Sequence, residues 1–281
     1  MSGQTGRKLS GSGELRSLLI LLEDKDPATL DVVRDRVFAI GWRAVEYFYL
    51  NLDSVVSRNA HSLVSQRIRD LSSLLAFREL LALMDQGQHF YVPDGMYYLS
   101  RIVEPELMPE AFRGVYEEMG NALACRLRDT MTAVEKIEML NYVMYDKFGF
   151  TLDGNIRDGE EKTSRITRLM TLRKGGAVGL SSVYFLLASY AGLPVYPLFP
   201  KNPGYFVAYF EGGESLFTID VGNRGHISEP VPKEVWKETS LMGTDQTILY
   251  IYAASLKRFG AGKLSRMEQM LLSEALEILR V

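Results

Sequence analysis

Apolar positions recur at helical spacing over most of this chain. Leu15, Leu18, Leu19 and Leu22 share one side of a predicted helix, which Asp24-Lys25-Asp26-Pro27 ends. A second periodic segment carries Val32, Val33, Val37, Ile40, Ala44 and Val45 and is interrupted at Gly41. The pattern predicts further helix over 63–83 and 96–128, the latter divided by a turn at Glu104-Pro105-Glu106. Thr132-Ala133-Val134-Glu135 has the spacing of a capping box, in which hydroxyl and carboxylate each accept an otherwise orphaned N–H. It opens a helix with Val134, Ile137, Leu140 and Met144 on one face, ending near Phe148-Gly149. Residues 153–161 are polar and read as a loop.

The periodicity changes after Gly175-Gly176, which reads as a tight turn. The run 180–191, "LSSVYFLLASYA", is an apolar helix closed by Gly192, with Pro194 two residues on. Three strand-like runs follow, at 195–199, 205–210 and 216–220, and Glu211-Gly212-Gly213-Glu214 between the last two is a hairpin signal. Helical patterns return at 247–259, ending at Gly260, and at 265–279. Helices, then a central helix feeding an antiparallel meander, then helices again define an α+β fold.

Composition narrows the function classes. Apolar residues make up 47% of the 281 positions and charged ones 24%, as in a globular protein. The formal net charge of -3, with basic residues scattered, offers no footprint for nucleic acid. The single cysteine, Cys125, permits no internal disulfide and fits a reducing compartment. Residues 1–13 are rich in Gly and Ser and are expected to form a flexible tail without a signal-peptide core. The longest apolar run nearby, 18–22, is too short to span a membrane, so a cytoplasmic location is expected.

Two resemblances follow from these residues. The stretch "LRSLLILLEDKDPATLDVVRDRVFAIGWRAVEYFYL" resembles one HEAT-like repeat, an antiparallel helix pair that buries its face against neighbours. The runs "TAVEKIEMLNYVMYDKFGFTLDGN", "RLMTLRKGGAVGLSSVYFLLASYAGLPVYPLFPKNPGYFVAYF" and "LFTIDVGNRG" resemble, in order and spacing, the SirB-type transglutaminase-like family of bacteria. The upstream "DGMYYLSRIVEPELMPEAF" is similar to that family's preceding helical segment. The resemblance implies a papain/transglutaminase-like core, a central helix packed on an antiparallel sheet, flanked by N- and C-terminal helices. The implied organisation is a tail at 1–13, a HEAT-like helical segment at 14–84, the core at 85–230 and C-terminal helices at 231–281.

In that scaffold a cysteine at a helix N-terminus has its pKa lowered by the helix dipole and exposed N–H groups. A strand histidine takes the proton, and an acid on the next strand orients the imidazole. Carried over residue by residue, the cysteine position falls on Ala177, the histidine position on Tyr205 in "PGYF", and the acid position on Asp220 in "FTID". Alanine has no nucleophile, and a phenol with an ordinary pKa of about 10 is a poor base at neutral pH. Proline often replaces the cysteine in the family; loss of the histidine is a further departure.

No other residue replaces the lost chemistry by pattern. Cys125, within "GNALACRLRD", reads as a small buried hydrophobe, and Ser181 and Ser182 read as helix-surface serines. His226, six residues after Asp220, either reaches the cleft rim or lies in an exposed loop; His61 and His89 have no second ligand at metal spacing. No metal or cofactor is expected. Tyr205 and Asp220 are expected to hydrogen-bond across the hairpin, and Tyr205, Asp220, His226 and Asn202 are the candidate binding residues. The expected function is therefore non-catalytic: binding or regulation through the degenerate cleft and helical surface, with a protein or peptide partner. The alternative is an amide hydrolase using Asp220, Tyr205 and His226.

Overall fold

The computed structural model describes residues 6–87, 90–153, 165–199, 205–232, 234, 243–260 and 262–280. Four helices come first: α1 (Gly6–Leu21), α2 (Pro27–Ile40), α3 (Trp42–Val55) and α4 (His61–Met84). Asp26 caps α2 by accepting the N–H groups of Ala28 and Thr29, and Pro27 supplies a pre-set φ at the first helical turn. Gly41, at φ 76°, turns what reads as one interrupted helix into α2 and α3. Helix α1 starts within the stretch expected to be a tail, because a turn added to an existing helix gains a backbone bond without needing apolar burial. Leu19, Val33, Val37, Phe48 and Ile68 form a core shared by these four helices.

Next come α5 (Val92–Val103), α6 (Pro109–Ala124) and α7 (Ala133–Asn141), followed by a π-helical turn over Tyr142–Lys147. The capping box at Thr132 and Glu135 forms in both directions. Ile137, Leu140 and Met144 are buried as expected, whereas Val134 lies open on the first turn.

A two-residue strand β1 (Thr151–Leu152) pairs in parallel with β2 (Lys174–Gly175), enclosing α8 (Ile166–Leu172). The chain reverses at Arg173, whose φ is 54°, and not at the Gly-Gly pair: Gly175 lies in β2 and Gly176 is extended, at φ -71° and ψ 168°. Helix α9 (Ala177–Tyr190) follows and buries every residue from Gly179 to Ala188. Burying one such Leu or Phe contributes about 1.5–3 kcal/mol, so this run anchors the main core.

Strands β3 (Val195–Leu198), β4 (Phe206–Glu211), β5 (Glu214–Asp220) and β6 (His226–Ser228) form one antiparallel sheet in that order. The β4–β5 turn uses Gly212 and Gly213 at φ 59° and 82°, the two positive angles a type I′ hairpin needs. Val207, Tyr209, Phe217 and Ile219 lie in the main core together with the buried run of α9. Helices α10 (Asp245–Gly260) and α11 (Arg266–Ile278) add Leu249, Tyr252, Leu256, Leu271 and Leu272 to that same core.

Candidate functional site

Ala177, Tyr205 and Asp220, the positions that the family resemblance assigns to a triad, line one cavity of about 800 Å³. Ala177 is the first residue of α9, Tyr205 immediately precedes β4, and Asp220 ends β5. The Tyr205 ring lies 6.4 Å from that of Phe185, one turn beyond Ser181 on α9. Burial pushes its pKa up to about 12, so the phenol stays neutral at physiological pH.

Ser181 and Ser182 are not surface serines: they are 4% and 1% exposed. Each donates back along the helix, Ser181 to the Ala177 carbonyl at 2.9 Å and Ser182 to that of Val178 at 3.1 Å. This back-bonding lets hydroxyls sit in an otherwise apolar helix.

Asp220 does not bond Tyr205. Its Oδ1 accepts the backbone N–H of Asn223 at 3.1 Å, which fixes the turn after β5. His226 stands directly opposite Asp220 in the β5–β6 register, but it is exposed and is not among the residues lining the cavity. Asn202 and His89 lie outside the described residues. His61 pairs with Asp53 at 2.8 Å on the surface, and among the described residues no group of three His, Cys, Asp or Glu could hold a metal. Cys125 is exposed at the C-terminal end of α6, where the helix face turns to solvent, so it is neither buried nor part of the cavity.

The loop carrying Asp220 is pinned from beneath. Tyr145, in the π-helical turn, donates to the Val221 carbonyl at 2.8 Å, and Asn141 Nδ2 donates to the Gly225 carbonyl at 2.9 Å. Tyr184 of α9 donates to Asn141 Oδ1 at 2.9 Å, and Arg224 pairs with Asp146. Gly225 is at φ 74°, and a Cβ there would drive into the Asn141 amide. Gly225→Ala is expected to lower stability by about 2 kcal/mol or more in urea unfolding. An unchanged midpoint would mean that the Asn141 pin does not hold the loop.

Sequence reasoning missed the cavity's other walls. Thr218 comes from β5, and Ile251, Ala254, Ser255 and Arg258 come from α10. The last four are spaced i, i+3, i+4 and i+7, a single helical stripe, so the signal was present but its facing partner was not.

A sequence profile of the transglutaminase-like superfamily matches residues 111–251, and the chain belongs to that superfamily. The match runs from α6 into α10 and includes Ala177, Tyr205 and Asp220, whereas Ala254, Ser255 and Arg258 lie beyond it. No curated protein and no solved structure gives a significant match. Among the described residues, no helix is long and apolar enough to cross a membrane.

Proposed function

We propose that this chain is a cytoplasmic, SirB-type transglutaminase-like pseudoenzyme of bacterial kind, whose cleft binds a ligand or peptide segment without turning it over. The observation that carries this reading is the side chain at the start of α9: a methyl group, Ala177, faces the cavity where acyl transfer needs an ionisable sulfur. The neighbouring phenol supports it, because burial favours its neutral form and so works against a role as base. The packing of α9 on an antiparallel sheet is consistent with a papain-like core. The N-terminal helices, read as HEAT-like, would supply an adjoining surface for a protein partner.

The hydrolase alternative needs His226 beside Asp220 within a pocket, and the exposed position of His226 weighs against it. The test combines turnover with binding. Amide and ester substrates are expected to be cleaved no faster than in buffer, while a fragment library perturbs the NMR resonances of residues around Ala177 and Tyr205. A hydrolytic rate abolished by Asp220→Ala or Tyr205→Phe would overturn the proposal, and so would a cleft that binds no fragment and whose variants lose no partner in pull-downs.

A further inference from the structure

We infer that a second cavity, at the C-terminal end of α9, binds an alkylated ammonium cation between three aromatic side chains and one carboxylate. It lies about 18 Å along the helix from Ala177 and has a volume of about 480 Å³. Phe90 and Tyr91 line it from the segment leading into α5, Tyr196 from β3 and Asp245 from the start of α10. Asp245 carries the one formal charge among the described residues of the lining. It is half-buried, and its Oδ2 accepts the Phe90 backbone N–H at 3.1 Å, which ties the aromatic segment to the carboxylate. Its place in the first turn of α10, beside the positive end of that helix, suits a carboxylate. Burial first, and then the Asp245 charge, push the Tyr196 phenol up to about 12, so the field of the carboxylate reaches a ring of the same cavity.

The chain between α9 and β3 offers an anion nothing. The N–H of Gly192 goes to the Ser189 carbonyl, that of Leu193 to Ala188 and that of Val195 to Leu193, at 3.1, 2.8 and 2.8 Å, and Pro194 has no N–H. These residues follow the last turn of α9, the negative end of its macrodipole. The hydroxyls of Tyr91, Ser189 and Tyr196 donate or accept and suit either sign, so the sign is set by Asp245, the helix end and the rings. A primary ammonium entering the cavity must shed a tight hydration shell and find an acceptor for each N–H. A quaternary ammonium asks for no hydrogen bond. Its methyl groups bury against apolar walls such as Leu193 and Ile248, and aromatic rings attract its charge through their quadrupoles.

The experiment titrates the intact protein with choline, its neutral carbon isostere neohexyl alcohol and the anion tert-butylacetate, reading NMR shifts at Gly192, Val195 and Ile248. Choline is expected to bind about tenfold more tightly than the alcohol, with the anion weakest. Trimethyllysine, acetylated and amidated at its ends and run beside choline, tells a small quaternary amine from a methylated side chain as the source, and tight binding of either supports the site. Asp245→Asn keeps an acceptor for the Phe90 N–H and removes the charge; it is expected to weaken choline about tenfold and leave the alcohol unchanged. Tyr91→Leu removes an exposed ring from outside the core and is expected to weaken choline about threefold or more. The alcohol or the anion binding as tightly as choline, choline binding indifferent to both substitutions, or choline shifts confined to Ala177 and Tyr205 would overturn the inference. So would the failure of every probe to shift Gly192, Val195 and Ile248.

Discussion

Raising the pH above about 10 is expected to unfold this protein cooperatively. Tyr116, Tyr145, Tyr184 and Tyr252 are 2%, 4%, 0% and 0% exposed. Burial is the first cause raising the pKa of each, because the phenolate would sit in low dielectric. In the unfolded chain these groups titrate near their ordinary value of about 10. The folded values lie higher, so their contribution to stability is fully present below that pH and is lost as the pH rises from the unfolded toward the folded values. Each group then removes about 1.4 kcal/mol per pH unit, and four together roughly 5 kcal/mol per unit, comparable with the whole stability of a typical domain. The last part of the tyrosinate absorbance, beyond that of the exposed phenols, should rise in the same step that abolishes the folded circular-dichroism spectrum. Ionisation of all fifteen tyrosines in a chain that keeps its folded spectrum would refute the assignment of these four phenols to the interior.

What the sequence revealed was mainly local. The Thr132 capping box, the Gly212-Gly213 hairpin and the apolar run of α9 each depend on residues within a few positions of one another, and each forms where the pattern places it. The order of central helix and meander follows from the same runs. Elements of two or three residues, β1, β2 and β6, are too short to carry a period and depend on partners distant in the chain.

The cleft was legible along the chain but not across it. The family resemblance pointed to Ala177, Tyr205 and Asp220, and all three line one cavity. It could not say that Ser181 lies inside, because a serine amid apolar residues reads as a surface position until its back-bond to Ala177 is known. Nor could it say that Cys125 lies outside, because its apolar neighbours belong to a face of α6 that the last turn leaves behind. The α10 wall was hidden for a different reason: a helical stripe declares that it faces something, never what.

Arg101 is the plainest case of a residue whose type misleads, and replacing it carries the second large expected effect. A charged residue in a helix normally marks the solvent face, yet Arg101 on α5 is 0% exposed. Its Nη1 donates to the Tyr97 hydroxyl at 2.9 Å, and its Nη2 to the Pro105 carbonyl at 2.9 Å and to Ser72 Oγ at 3.2 Å. No carboxylate pairs with it among the described residues; its guanidinium carbon lies 3.8 Å from the centroid of the Trp42 ring, at stacking distance. Trp42 packs against both the N-terminal core and the main core, so the stacked pair joins the two. Arg101→Ala empties that volume and strips the Pro105 carbonyl and Ser72 of a donor, with an expected loss of about 3–5 kcal/mol in denaturant unfolding. Arg101→Lys keeps the charge but not the planar fork, and should lose part of the same stability. Arg101→Met keeps much of the stem packing and removes an uncompensated buried charge, so it should cost less than either. An Arg101→Ala midpoint indistinguishable from that of the parent would show that the guanidinium holds nothing together. An Arg101→Met protein no more stable than Arg101→Ala would place the whole contribution in the hydrogen bonds and the stacking on Trp42, with none in the aliphatic stem.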